Sequence, residues 1–365
     1  MKIHLMDPGL AGRAGHHPDL DLGLARWLVA AGHELRVYAH AAVDAQIQRA
    51  FETVAPLQPL FRSRPYLNPQ RHDPYAGELL VYQGQSRLLV EDLRGLPAAD
   101  LWLWPTMMAA QLKACAMAQP RTNVVGCVHT PVVSEEYPNG TIWWRDAFLT
   151  AQRVGMALRL GAFEPEHRYD YLPLMPDGNF QVFPWYFEGI LSKTPRTALR
   201  RIGFFGHQRG EKGGSLIPDL LEALLSRGYQ VTVQNSGGGP GMPARRGLTL
   251  LGHVPDLAAE IARCDLVVLP YVPDRYRRKG SGVLMDALAS GIPAVAPFDT
   301  APGRWIDRTG AGTHFVRLNT EQVLAAIEQA RSRYGAIAQA AHRVSLGWRA
   351  QHGLGRFAQA LIGGG

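Results

Sequence analysis

Short apolar runs recur along the chain, and each is followed by a stretch whose apolar positions have helical spacing. Lys2–Asp7 (KIHLMD) is a nearly continuous apolar run, Asp19–Ala31 is amphipathic and stops at Gly32, and Glu34–His40 (ELRVYAH) returns to strand character. Leu101–Pro105 (LWLWP) and Asn123–His129 (NVVGCVH) are two more candidates for buried strands. Apolar strands alternating with helices predict a parallel sheet covered on both faces, because parallel neighbours need a crossover between them.

The pattern then restarts. Arg201–His207 (RIGFFGH) reads as a strand, Gly213–Arg227 as a helix closed by Gly228, and Gln230–Asn235 as the next strand. Leu248–His253, Leu266–Tyr271, Ala294–Pro297 and His314–Leu318 follow, with helices between most of them. Pro184–Thr197 lacks periodicity and carries prolines and aromatics, so the connection falls there. The stretch from about Ala336 to Ile362 reads as helix. The expected organisation is an α/β domain over 1–185, a second over 186–345 and a terminal helix over 346–365. A chain of 365 residues has room for two cores. Two parallel sheets facing each other would leave a cleft at the carboxyl ends of their strands, where loops open onto helix N-termini.

Three segments stand directly after strands and carry the candidate chemistry. Gly9–His17 (GLAGRAGHH) offers Gly12, Gly15 and His16 in a loop that lets a ligand approach the backbone closely. It lacks the G-x-G-x-x-G spacing of a dinucleotide site. Gly206–Ser215 (GHQRGEKGGS) places Gly206, His207, Arg209, Lys212 and Gly213 ahead of a helix, a composition suited to a diphosphate. Asp274–Gly291 sets Arg275, Arg277, Arg278 and Lys279 before Gly280-Ser281-Gly282, where a helix begins; Asp286 lies one turn inside it and could accept from ribose hydroxyls. The rival reading of the basic runs is a solvated face, and of Asp286 a local salt bridge.

Composition narrows the field. The net charge of +7 suits a phosphate-bearing substrate, an anionic membrane or a nucleic acid, but no nucleic-acid-binding motif is present and the cations gather at the turns just named. Cys115, Cys127 and Cys264 are far apart in sequence, which points to a reducing compartment and away from a disulfide or zinc framework. The opening MKIHLMDPGLAG reads as a strand and not an export signal, so the expected location is cytoplasmic. Thr141–Gly161, with Trp143, Trp144, Phe148 and several arginines, reads as a helix packed on the first sheet or, alternatively, a basic helix lying on the inner face of a membrane.

These segments resemble the retaining glycosyltransferases of the GT-B fold, the group that includes sucrose-, mannosyl- and lipopolysaccharide-type transferases. Their second domain begins G-R-x-x-x-x-K-G. Here Gly206, Lys212 and Gly213 match, His207 replaces the usual Arg, and Arg209 stands nearby. Their later motif has two glutamates, the second opening E-A-M-A-S-G-x-P-V-V. Here Asp286-Ala287-Leu288-Ala289-Ser290-Gly291-Ile292-Pro293-Ala294-Val295 matches with Asp for that Glu, and Arg278 stands where the first Glu is expected. Gly15-His16-His17 and Ala31-Gly32-His33-Glu34-Leu35 resemble the family's opening.

The resemblance implies two Rossmann-like domains, the first on the acceptor side and the second binding a nucleotide-diphosphate-sugar. It further implies a terminal helix packing back on the first, and no metal or other cofactor. It implies catalytic roles for His129, Lys212 and Arg209. Gly206, His207, Gly213, Lys279, Gly280, Ser281, Gly282 and Asp286 would share donor binding, with Gly12, Gly15 and His16 on the acceptor side. Glu135 is a weaker acceptor-side candidate. A nucleotide-sugar epimerase of the same fold and a non-catalytic scaffold subunit remain open.

Overall fold

The structure is a computed structural model that describes residues 1–363 except 13–14, 66–73, 120, 135–136, 176–178, 207, 209, 235–244 and 253. The chain divides into two compact units, one formed by Met1–Tyr186 with Leu354–Gly365 and the other by Phe187–Gly353.

In the first unit the elements are β1 (Lys2–Asp7), α1 (His17–Ala30), β2 (Glu34–His40), α2 (Ala45–Phe51), β3 (Leu57–Phe61), α3 (Pro74–Leu93), β4 (Leu101–Trp104), α4 (Ala109–Ala118), β5 (Asn123–Val128), α5 (Gly140–Arg153), β6 (Leu158–Ala162), α6 (His167–Tyr171) and β7 (Phe180–Val182). Their strands form one parallel sheet in the order β3-β2-β1-β4-β5-β6-β7. Ile3 of the central β1 faces Leu35 on one side and Leu101 on the other. β4 is buried at every position, as its apolar run predicts for a strand covered on both faces.

Three strands escape the hydrophobic pattern. β3 (LQPLF) carries a polar residue and Pro59, tolerable because it lies at the sheet edge. β7 is only three residues long. β6 (LRLGA) contains Arg159, whose guanidinium donates to the carbonyls of Ala360 and Leu361. Those carbonyls end α14 (Leu354–Ile362), so a cation sits at the negative end of that helix.

Helix α14 packs on α1, where a Cβ at Gly23 would come within 2.7 Å of the Leu354 side chain. The single terminal helix expected from the sequence is two helices. In the second unit α13 (Tyr334–Gln351) stops at His352, which is extended, and Gly353 follows at φ 103°, a conformation glycine adopts without strain. Trp348 Nε1 donates to the Phe187 carbonyl at 2.7 Å, tying α13 to the start of its own unit.

The other elements of the second unit are β8 (Arg201–Phe204), α7 (Ile217–Ser226), β9 (Gln230–Gln234), β10 (Leu248–Leu251), α8 (Leu257–Ala262), β11 (Leu266–Val268), α9 (Pro273–Tyr276), α10 (Gly282–Ala289), β12 (Ala294–Pro297), α11 (Ala301–Thr309), β13 (Gly312–Phe315) and α12 (Thr320–Ser332). The strands are parallel in the order β10-β9-β8-β11-β12-β13. Among the described residues no helix is long and apolar enough to cross a membrane. The three cysteines are buried and unbridged.

The segment Thr141–Gly161 is not one helix: α5 ends at Arg153 and β6 begins at Leu158. Trp143, Trp144 and Phe148 face the core, leaving Ile142, Arg145, Leu149 and Arg153 outside. Its N-terminus has no cap from its own N-cap side chain. Buried Glu78 of α3 supplies the anion instead, accepting from the Asn139 backbone N–H at 3.1 Å, the Asn139 side-chain amide at 3.0 Å and Trp143 Nε1 at 2.7 Å. Glu78→Ala strands these donors in a dry environment and should lower unfolding free energy by about 3 kcal/mol. Urea denaturation checks this, and a loss under about 1 kcal/mol would contradict it.

Candidate active site

In each sheet the strand order reverses direction once, between β1 and β4 in the first unit and between β8 and β11 in the second. Loops leaving the carboxyl ends of two such strands diverge to opposite faces and leave a crevice between them. Most candidate residues of each unit lie on or just beyond those two loops, with His129 after the neighbouring β5 and Asp286 inside α10.

In the second unit β8 leads to Gly206 and then to a 3-10 turn, Gly210–Lys212, while β11 leads through Tyr271 and α9 to Ser281. The Val272 N–H donates to the Glu211 carbonyl at 3.0 Å, joining the loops. Lys212 Nζ stands 5.6 Å from the centroid of the Tyr271 ring. The Tyr271 hydroxyl is 3.1 Å from Ser281 Oγ, which caps α10 by accepting from the Leu284 N–H at 3.3 Å. Tyr271 stacks on Tyr276 at 4.0 Å between centroids, and Lys279 Nζ lies 5.6 Å from the Tyr276 centroid.

Two glycines permit the approach. A Cβ on Gly206 would stand 2.7 Å from Lys212 Nζ and 3.7 Å from the Val283 side chain in the first turn of α10. A Cβ on Gly213 would stand 1.9 Å from the Pro270 carbonyl oxygen, and its φ of 69° suits glycine alone. Lys212, the bare backbone of Gly206 and the start of α10 therefore share one neighbourhood. The first amides of α10 have no intrahelical acceptor and carry the helix's positive end.

The amides of Gly206 and Gly213, read from sequence as open to an anion, are engaged. Gly206 N–H donates to Gln234 Oε1 at 2.7 Å, and Gly213 N–H closes the 3-10 turn on Gly210. The Ser281 hydroxyl is buried in its capping role. Arg277 turns to Asp274 and Asp299 at the surface, and Arg275 and Arg278 are exposed. Gly280 and Gly282 flank the capped serine, and Phe187 packs where a Gly282 Cβ would stand, 2.7 Å away. Asp286 is buried within α10, and burial, then the Asp256 charge, push its carboxyl up to about 7. His207, Arg209 and Glu135 lie outside the described residues.

The first unit gathers histidines where β1, β4 and β5 end. His129 Nε2 is 2.7 Å from the Pro105 carbonyl, an acceptor only, so Nε2 carries the proton and Nδ1 is left as an acceptor. Thr106 Oγ1 stands 3.3 Å from His16 Nε2 and 3.4 Å from His129 Nε2. The rings of His16 and His129 stack at 4.8 Å, and those of His16 and His17 at 4.2 Å. Burial and neighbouring imidazoles hold His16 well below the ordinary histidine range, and burial takes His129 down to about 4. Gly12 is exposed with open space at its Cβ, so the fold does not demand glycine there; Gly15 has φ 94°, and Gly9 has the His17 ring against it.

Sequence reasoning passed over roles for Tyr271, Tyr276 and Thr106. It also missed an aromatic pocket between α3 and the starts of α4 and α5, walled by Tyr82, Met108, Pro131, Val132, Trp143 and Trp144. In this wall the Tyr82 hydroxyl donates to Asp146 at 2.7 Å and Trp143 Nε1 to Glu78, and Gln85, Thr130 and Ser134 complete the lining. Among the described residues no group of three His, Cys, Asp or Glu side chains is placed to hold a metal ion.

Residues 200–332 match the family described as glycosyl transferases group 1. No curated protein matches the chain. Among solved structures, Anabaena HepE in complex with UDP is similar at 16% identity and TM-score 0.67, over 99% of this chain and 98% of that one. Sucrose-phosphate synthase from Thermosynechococcus elongatus is similar at 12% identity and TM-score 0.66, over 99% and 97%. WaaG, a glycosyltransferase of lipopolysaccharide biosynthesis, is similar at 15% identity and TM-score 0.64, over 99% and 100%. The fold is that of the GT-B glycosyltransferases, and the class it defines together with the matched domain is a glycosyltransferase. The resemblance read from the turns after β8 and β11 is to the same group 1 transferases that match residues 200–332.

His129 should titrate near pH 4 when its ring protons are followed by NMR, and a midpoint near the ordinary 6.5 would contradict its burial. A histidine depressed by folding adds stability that is complete above about 6.5 and lost as pH falls toward its folded value. His129→Gln should therefore flatten the decline in urea midpoint between those pH values.

Proposed function

We propose that this protein moves a sugar from a nucleotide-diphosphate-sugar to an acceptor, with retention at the transferred carbon and without a required metal. The observation that carries this reading is the linkage of Lys212 to the start of α10 through the Tyr271 ring and hydroxyl. A departing nucleoside diphosphate concentrates negative charge as the sugar–phosphate bond breaks. Fixed cations and helix-start amides bind that charge better in the transition state than in the intact donor, which accelerates the reaction.

In this reading Lys212, Lys279 and the first amides of α10 hold the diphosphate, with Arg209 and His207 assigned by resemblance. Asp286 accepts from the ribose hydroxyls. In the first unit neutral His129 offers Nδ1 to a sugar hydroxyl, and His16 with Gly12 and Gly15 lies on the acceptor side. Retention rests on the resemblance to group 1 enzymes. Trp143 and Trp144 face the core while Ile142, Arg145, Leu149 and Arg153 of α5 lie outside, and membrane association is not part of this proposal.

A thermal-shift screen of uridine, guanosine, adenosine and thymidine diphosphates should find one that raises the melting temperature, because a ligand bound only to the folded state stabilises it. HepE binds UDP, so uridine diphosphate is the first to test. Lys212→Ala should lower turnover at least about tenfold while remaining folded; a folded variant with unchanged transfer would remove Lys212 from the site. Donor consumption without release of nucleoside diphosphate would favour an epimerase.

Ribose hydroxyls donate to an ionised carboxylate, so binding favours deprotonated Asp286. Nucleotide affinity should rise as pH increases through about 7, and Asp286→Asn should abolish that dependence. An affinity flat from pH 6 to pH 8 in the unsubstituted protein would contradict the assignment.

A further inference from the structure

Beneath the histidine stack lies a buried group that the transfer chemistry above leaves without a role. Asp7, the last residue of β1, is fully buried. Its carboxylate accepts from the Gly9 N–H at 2.6 Å and lies 2.6 Å from His17 Nδ1. Asp21 stands four residues beyond His17 on the same face of α1 and is equally buried. Among the described residues neither Asp21 oxygen has an N–H or O–H donor. Its polar neighbour is the Asp7 carboxyl.

Two neighbouring carboxyls in a dry site do not both ionise; one retains its proton. The geometry decides which. Asp7 already accepts from a backbone N–H and an imidazole, and both favour its anion. Among the described residues Asp21 accepts from no N–H or O–H that would stabilise charge. Burial and the Asp7 charge push the Asp21 carboxyl well up, whereas the His17 and Gly9 donors outweigh burial and hold Asp7 below its usual value. The proton therefore resides on Asp21, beside the Asp7 anion.

The chain of contacts continues outward. Asp7 fixes the proton of His17 on Nδ1. The His17 ring lies against Gly9, where an added Cβ would be 2.2 Å from Cε1, and it stacks on the ring of His16. His16 in turn stacks on His129, and Thr106 lies within reach of both. We propose that Asp21, Asp7 and His17 are positioning residues for sugar transfer: a neutral acid, its partner anion and an imidazole that holds a proton on Nδ1, which together set the ring plane of His16 and, through it, of His129. This rests on the transferase reading for its consequence in catalysis, though not for its chemistry.

The test separates the two. Infrared difference spectra of wild type against Asp21→Asn at neutral pH should show a carboxylic-acid C=O band in wild type that the variant lacks. NMR of the histidine rings should show a slowly exchanging His17 Nδ1 proton. Asp21→Leu, close in size but unable to donate, should lower kcat at least about tenfold while nucleoside diphosphate affinity stays within about twofold. Asp21→Asn, whose amide can donate to Asp7, should restore most of that loss. Absence of the acid band, or equal transfer rates in Asp21→Leu and wild type, would overturn the proposal. So would an Asp21→Asn that is folded yet as slow as Asp21→Leu. If Asp21→Leu does not fold, the infrared band and the Nδ1 proton decide. Failure of wild type to bind any nucleoside diphosphate would count against the transferase reading alone.

Discussion

The ring of Tyr271 ties two loops of different origin into one surface. One face meets the Lys212 ammonium, the hydroxyl reaches the serine that caps α10, and Tyr276 stacks against the ring and carries Lys279. A cation against an aromatic face gains about 1 kcal/mol, enough to prefer one orientation of a long side chain without locking it. The loops meet because β8 and β11 are neighbours in the sheet while their sequence positions are more than sixty residues apart. Without the bare backbones at 206 and 213 that meeting would be blocked.

The two units repeat one architecture and differ in charge at the corresponding place. Beyond β8 and β11 stand lysines and the positive end of a helix. Beyond β1, β4 and β5 stand imidazoles kept neutral by burial and by one another. Several other cations stand in surface pairs, such as Arg62 with Glu91, and Arg331 with Glu328. Such pairs contribute little to stability and nothing to the site.

Much of the fold was legible because parallel strands covered on both faces are apolar throughout. β1, β4, β5, β8 and β12 announce themselves that way. β3, β6 and β7 do not, since edge position, a capping arginine and short length each break the pattern. The break at Gly353 was hidden because a single glycine late in a periodic stretch reads as a weak helix residue. Of the site, the turn residues were readable since glycines and cations directly after a strand have a mechanism. The tyrosine that joins the turns was not, because its role depends on a neighbour far away in sequence. Asp7 and Asp21 were hidden for the same reason: each alone is an acidic residue near a strand end or in a helix's second turn.

The central claim is that Lys212 and the turn before α10 act on one diphosphate. The direct test is calorimetric: the affinity of a nucleoside compared with that of its diphosphate, in wild type, Lys212→Met and Lys279→Met. The account predicts that the added affinity due to the phosphates shrinks in both variants while nucleoside binding holds. A phosphate increment that survives unchanged in both would contradict it.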